Sequence, residues 1–365
     1  MRPRLAIICS LAALFTGNHA TSQPAREGSA ELPFAPRQYV VYGAGAPLRI
    51  EGKLDEAAWQ AAPWTELFVD IEGGAKPVAH RTRAKMLWDR KWFYVAAELQ
   101  EPDIWATLTE RDAVIYQDND FEVFIDPDGD THAYYELEIN ALGTVWDLLL
   151  IKPYRDGGPA LNGWDVRGLQ SGVTIEGTLN RPGDKDGRWI VELAIPWRVL
   201  GEARRGNPPR VGSQWRVNFS RVQWQLAVES GRYVKENDPA TGKPYPEGNW
   251  VWSPQGAVNM HMPERWGYVQ FSGLRAGEGM EAFAEARNEK VKWALRQLYY
   301  RQREYLRQHG RYAADLQQLE AGDIRVEGLK FTPVMQATAN LYEIAAPGFD
   351  GKTLHIRHDG KVWEK

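Results

Sequence analysis

The chain has 365 residues, 43% of them hydrophobic, with 44 basic and 48 acidic side chains and a net charge of −4. That length is enough for two or three domains with a sizeable core, and the mild acid excess gives no reason to expect nucleic acid or an anionic membrane as partner. One cysteine and seven histidines exclude a disulfide framework and argue against a multi-histidine metal site.

The first twenty residues read as a secretory signal. Arg2 and Arg4 form a basic start, Leu5 to Phe15 an apolar stretch, and Asn18-His19-Ala20 a small-residue end, so cleavage is expected after Ala20. The apolar stretch is too short to span a bilayer, and no later run is long and apolar enough. An exported protein, periplasmic or extracellular, is expected. The lone Cys9 falls inside this segment, which carries two arginines and no acid, so the mature chain has no cysteine and a net charge of −6. Residues 21–37 are polar and without period, and are expected to form a flexible leader.

From residue 38 to 274 short β-like runs alternate with Gly, Pro, Asp and Asn. The clearest are RQYVVY, AKMLWD, KWFYVAAEL, DFEVFID, AYYELEIN, TVWDLLLI, VTIEGTL, RWIVELAI, QWRVNFSRVQW and WGYVQFS. Such spacing predicts a mainly β domain, an antiparallel sandwich or barrel. A short helix is expected at Asp55 to Trp59, where an acid precedes helix formers, and another at Pro196. Residues 275–282 read as a Gly-containing linker. Beyond it, 283–365 are expected to form a small α+β domain. Its long helix runs from Phe283 to His309, with an apolar stripe at Val291, Ala294, Leu295, Leu298, Gln302 and Tyr305 and a stop at Gly310. A second helix is expected at Ala313 to Leu319. Strands are expected at Val326 to Phe331, Leu341 to Ala345 and Thr353 to His358, with a tight turn at Asp359-Gly360. No internal repeat is evident. Sixteen tryptophans can all be core, and most are expected there; the surplus modestly favours a ligand with flat apolar faces, such as a sugar ring.

Chemistry concentrates in one stretch. Asp118 to Asn140 holds eight carboxylates: Asp118, Asp120, Glu122, Asp126, Asp128, Asp130, Glu136 and Glu138. Strand alternation puts Phe121, Val123, Ile125, Tyr135, Leu137 and Ile139 on a buried face. Glu122, Phe124, Tyr134, Glu136, Glu138 and Asn140 then share the other face, and a turn centred near Asp130 sets Glu122 beside Glu138. Like charges so placed are destabilising, and Arg221 or Arg111 are the candidate cations. Arg221, in NFSRVQW, is expected on the polar face beside Glu122 or Glu138. Four readings stay open. The acids can be a solvated sheet face. Asp126, Asp128 and Asp130 can hold a structural Ca²⁺. Glu122 and Glu138 can be the carboxyl pair of a glycoside hydrolase. The same face can bind saccharide, its carboxylates and Asn140 accepting bonds from hydroxyls. Trp105 and Trp164 sit in turn-like surroundings and are candidates for exposed stacking. His261 reads as a loop hydrogen-bonder. No GxSxG elbow, P-loop or Rossmann glycine fingerprint occurs.

An ordered set of segments resembles the family 9 carbohydrate-binding modules, a group with a DOMON-like sandwich. The segments are IEGKLDEAAW from Ile50, AKMLWD from Ala84, WFYV from Trp92, QDNDFEVFID from Gln117, YELEIN from Tyr135, WIVELAIPW from Trp189, WRVNF from Trp215 and PERWG from Pro263. The resemblance covers about residues 42–272. It implies a jelly-roll β-sandwich, structural Ca²⁺, and non-catalytic binding of plant-polysaccharide ends or oligosaccharides in carbohydrate catabolism. By motif it places sugar contacts on Glu122 and Asn140, and Tyr116 as one jaw of an aromatic clamp. The second jaw falls near Met260 or His261 in place of a tryptophan, and an arginine contact of the family corresponds to Glu138. The implied site is Tyr116 stacking while Glu122, Asn140 and Arg221 hydrogen-bond a saccharide. An interaction protein that no longer binds sugar is the further alternative. The tail KWALRQLYYRQREYLRQHGRY is similar to the helix and turn of pilin-like domains, and a protein partner through this unit is expected to be possible.

Overall fold

The computed structural model describes residues 32–203 and 208–365. The predicted signal segment and residues 21–31 of the leader lie outside the described residues. Ten principal strands form the sandwich: β1 (Gln38–Gly43), β2 (Thr82–Trp88), β3 (Trp92–Gln100), β4 (Asp120–Asp126), β5 (Tyr134–Asn140), β6 (Val145–Leu150), β7 (Gln170–Glu176), β8 (Arg188–Pro196), β9 (Gln214–Gln223) and β10 (Gly267–Arg275). One layer runs β6-β5-β4-β9-β10 and the other β2-β3-β8-β7. β1 joins them: Gln38 to Val41 pair with β10, the register slips, and Tyr42 and Gly43 pair with β2. Both of these pairings are parallel, so the sheet is mixed, not wholly antiparallel as the strand spacing suggests. β1 pairs with one neighbour in each layer, and connection lengths alone do not reveal its direction.

Strict period-two alternation explains the layers. Phe121, Val123 and Ile125 on β4, Leu137 and Ile139 on β5, and Val217 and Phe219 on β9 meet Met86, Phe93, Val95 and Leu193 from the opposite layer, all essentially buried. Trp197, Trp215 and Phe271 interlock there edge to face, with ring centroids 5.1–5.6 Å apart. The predicted early helix is α1 (Ala57–Ala61), and Pro196 leads into one 3₁₀ turn, Trp197–Val199.

In the C-terminal unit α2 (Asn288–His309) lies against a four-stranded antiparallel sheet: β11 (Val334–Ala337), β12 (Tyr342–Pro347), β13 (Thr353–Arg357) and β14 (Val362–Glu364). Its buried face is Val291, Ala294, Leu295, Leu298 and Gln302, and Gly310 caps it at φ 69°, as the stripe predicts. The helix starts five residues later than predicted. Ala313 to Leu319 forms turns, not a helix, and Val326 to Phe331 contains only one bridge, Val326 to Leu329. Both segments give apolar side chains to the core, Ala313, Leu319 and Val326 among them, but each is too short to hold a regular element by itself.

The tail is not a tethered appendage. Asn288 follows a segment pinned to the sandwich, where Glu281 accepts from Gln270 Nε2 at 2.8 Å and Glu281 N–H donates to the Tyr42 hydroxyl at 2.9 Å. Residues 32–37, read as leader, are fixed as well: Phe34 stacks on Trp293 of α2 at 4.1 Å, and Arg265 lies 4.5 Å from the same indole. Buried polar contacts cross the joint. Arg155 meets Glu264 at 2.8 Å within the sandwich, and from α2 Tyr300 donates to that carboxylate while Tyr299 accepts from Arg155 Nε at 3.3 Å. Arg216 meets Glu289 at 2.9 Å. Burial opposes the charge on Glu264, but Arg155 and Arg296 outweigh it and hold the carboxyl at about 2.

Candidate functional site

The acidic hairpin adopts the register that its turn predicts. Glu122 pairs directly with Glu138, and Asp120 with Asn140. Because β4 and β5 turn their apolar residues to the core, Asp120, Glu122, Glu136 and Glu138 share the outer face, and Ser220 of β9 stands opposite Glu122. One oxygen each of Asp120, Glu122 and Glu138 lie within 4.8 Å of one another, and all three residues are buried. Burial is the largest cause of raised carboxyl pKa values here, reinforced by mutual repulsion at Asp120, Glu136 and Glu138. At Glu122 burial raises the carboxyl, the nearby Ser220 hydroxyl offsets part of that rise, and the charge of Glu247 adds to it, bringing the group to about 7.

Two other triplets of acids occur among the described residues, and each has its own cations or donors. Asp112, Asp147 and Asp165 surround Arg111, at 3.6, 2.7 and 3.2 Å. In the loop Asp126 to Asp130, Asp126 accepts from Gly129 N–H at 3.0 Å and Thr131 N–H at 2.9 Å. Asp130 accepts from His132 N–H at 2.7 Å and pairs with Lys361 of the tail at 2.7 Å. The tail docks on this loop: Val362 N–H donates to Asp130 O at 3.1 Å, and Thr131 Oγ1 donates to Gly360 O at 3.0 Å. Burial and repulsion still raise Asp126, and bring Asp128 to about 6. Its oxygens are spaced for a cation, yet no buried oxygen of the loop lacks a partner. On the outer face, by contrast, Asp120 Oδ2, Glu122 Oε2 and Ser220 Oγ are buried with no hydrogen-bond partner.

Aromatic side chains border the acids. Tyr116 is half-buried, donates its N–H to Glu138 Oε2 at 2.9 Å, and lies 6.3 Å from the half-buried Trp146. Trp146 stands opposite Glu138 in the register of β5 and β6. Tyr154, 51% exposed, crosses His261 edge-on at 4.5 Å, and its hydroxyl is raised by burial and then by the charges of Glu136 and Glu138.

Several sequence expectations place side chains elsewhere. Arg221 is two residues from Phe219 and shares its inward face, where it pairs with Glu101 and donates to Thr82 Oγ1 at 3.0 Å and Gln100 O at 2.8 Å. It makes no ion pair with Glu122 or Glu138. Asn140 reaches the acidic face, but its amide donates to Leu108 O and Asp118 Oδ2, and its oxygen accepts from Leu142 and Thr144 N–H. Trp105 is not exposed: it packs with Val222, Trp224 and Tyr233. Trp164 is held against the sandwich edge, 4.9 Å from Tyr135, with its indole N–H on Glu202 at 3.1 Å. His261 takes a hydrogen bond with the Tyr134 hydroxyl at 3.0 Å, and burial lowers its imidazole to about 3. Met260 packs beside Trp266. Neither is a stacking wall; Tyr154 holds that side. Trp146 was recoverable from strand parity and Tyr154, on a loop, was not.

The model of the family "Carbohydrate family 9 binding domain-like" matches residues 50–274. The chain belongs to this family. The family match takes in nearly all of the sandwich and ends before the tail. Exoglucanase XynX of Acetivibrio thermocellus is 27% identical over 158 residues, which is 43% of this chain and 12% of that protein's length. Among solved structures, a putative carbohydrate-binding protein from Bacteroides uniformis is 16% identical, covering 65% of this chain and 100% of the other, with a TM-score of 0.47. A family 9 module from Caldicellulosiruptor kristjanssonii in complex with cellotriose is 16% identical over 67% of this chain and 99% of its own, with a TM-score of 0.40. Its complex with glucose gives 15%, 67%, 100% and 0.41.

Proposed function

We propose that this protein is exported and binds saccharide without cleaving it, on the outer face of β4 and β5. The observation that carries this reading is the pair of part-exposed aromatic borders, Tyr116 with Trp146 and Tyr154, beside a row of outward carboxylates. Flat apolar rings suit the faces of a pyranose, and carboxylates accept from its hydroxyls. Family membership supports the same ligand class, as does the structure of a relative holding cellotriose. Plant-polysaccharide ends or small oligosaccharides are the proposed ligands, in service of carbohydrate catabolism. The basic and apolar start of the chain supports export; no described helix is long and apolar enough to cross a membrane.

Hydrolysis is the second reading of the same face. A glycosidase divides its two carboxyls into one protonated and one ionised. Here Glu122 and Glu138 both shift upward for the same reason, burial. Glycan-array binding with a reducing-sugar release assay tests the reading. Binding without release is expected, and Tyr116→Ala or Tyr154→Ala should each weaken it about tenfold. Failure to bind any glycan, or release that Glu122→Gln abolishes, overturns it.

A further inference from the structure

Three acidic triplets occur among the described residues, and they differ in what neutralises them. Arg111 sits in the first. Backbone N–H groups and Lys361 serve the second. Asp120, Glu122 and Glu138 form the third, and none of them makes an ion pair with a described Lys, Arg or His, although all three are buried. Of their hydrogen bonds, Asp120 accepts one from Val222 N–H at 3.1 Å, and Glu138 one from Tyr116 N–H at 2.9 Å. That leaves Asp120 Oδ2, Glu122 Oε2 and the neighbouring Ser220 Oγ buried with nothing to bond. A buried, unpartnered carboxylate oxygen is costly, and several together cost more.

We propose that Asp120, Glu122 and Glu138 bind a hard divalent cation, with Ser220 Oγ as a fourth oxygen donor. The donor set is oxygen only, which selects Ca²⁺, Mg²⁺ or Mn²⁺ over softer metals. The carboxylate oxygens lie within 4.8 Å of one another, no farther apart than two oxygens bound to one Ca²⁺ at about 2.4 Å each. Octahedral Mg²⁺, at about 2.1 Å, demands a tighter cage, so Ca²⁺ is the expected ion. The register explains why the site exists: Glu122 and Glu138 are directly paired, Asp120 is one outward step along β4, and Ser220 pairs Glu122 from the other side. The cation joins three strands at one point. The ion takes Glu122 and Glu138 oxygens on the face proposed for saccharide, but Ca²⁺ binding is measured without sugar, so the two readings fail separately.

The test uses the full mature chain stripped with chelator. Calorimetric titration with Ca²⁺ should show a site, and Tb³⁺ bound there should be sensitised by Trp146 and Tyr116. Glu122→Gln should weaken Ca²⁺ at least about tenfold, while Asp128→Asn in the other loop should leave it within about twofold. Thermal unfolding guards against a misfolded variant: without Ca²⁺, Glu122→Gln should melt above wild type, and only wild type should gain from added Ca²⁺. Absence of Ca²⁺, Mg²⁺ or Mn²⁺ binding at millimolar concentration overturns the proposal and leaves shared protons as the means of neutralising the triplet. Loss of binding in Asp128→Asn with retention in Glu122→Gln overturns it too. Should Glu122→Gln not fold, Glu138→Gln is read by the same criteria.

Discussion

The loop Asp126 to Asp130 and the strand face of Asp120, Glu122 and Glu138 lie on one hairpin and hold three acids each, yet they carry their charge differently. A loop can bend its own backbone toward its carboxylates, and this one does so with Gly129, Thr131 and His132 N–H. It also receives Lys361 from the far end of the chain. Strands cannot bend this way. Their N–H groups are spent on neighbouring strands, so a carboxylate on a central strand depends on another side chain or a ligand. On this face no such side chain arrives. The comparison teaches that acid density says little; what decides is which donors the backbone leaves free.

Breaking the joint that brings Lys361 to the loop should have the largest effect. Arg155→Ala takes the one ion-pair partner from the buried Glu264, which keeps the Tyr300 hydroxyl, while Asp156 keeps Arg303 and Tyr299; it should cost about 3 kcal/mol in denaturant unfolding. A loss below about 1 kcal/mol would show that Arg155 contributes little to the joint beside Arg216–Glu289 and Lys361–Asp130. The opposite sign is expected on the strand face. In chelator at pH 8, Glu122→Gln should stabilise the protein by about 1–3 kcal/mol, because an ionised, unpartnered oxygen is replaced by a neutral amide. The pH dependence sharpens this. The Glu122 carboxyl sits at about 7 in the folded protein and at about 4.3 when unfolded, so between these values the folded state holds a proton that the unfolded chain has released. Stability therefore falls as pH rises through that window. In chelator, a unfolding free energy that is flat from pH 5 to 8, or a slope unchanged in Glu122→Gln, would refute this account. Lys361→Met should cost about 1 kcal/mol, the value of one partly exposed pair. Asp128→Asn is expected within about 0.5 kcal/mol of wild type; a larger loss would show that Asp128 contributes more to the loop than its 3.4 Å contact with Asp130 N–H suggests.

The strands were legible because alternation of apolar and polar residues reports directly on a half-buried sheet, and the turn near Asp130 set the pairing of Glu122 with Glu138. The long helix followed from its stripe and Gly310. What alternation does not carry is what comes to lie over a strand. Trp105 looked exposed because its neighbours are turn residues; it is covered by Trp224 and Tyr233, more than a hundred positions away. Arg221 was legible, since any residue two from the inward Phe219 must share its side, but its charge suggested the polar face. A buried guanidinium is tolerated there because Glu101, Gln100 and Thr82 gather around it, and no local pattern announces such a group. Asn140 shows the same limit from the other side: its position on the face could be read, but its full set of bonds to Asp118 and the following turn could not.

The stack of Phe34 on Trp293 sets an order of assembly. Synthesis delivers a chain from its N-terminal end, so the strands of the sandwich are made before α2 exists to receive Phe34 or to face Glu264. Until the final eighty residues arrive, Asp130 lacks Lys361, and Glu264 lacks the Tyr300 hydroxyl. The sandwich thus passes through a period with its loops open, and the closing helix acts as a latch set only after residues 288–309 have been made.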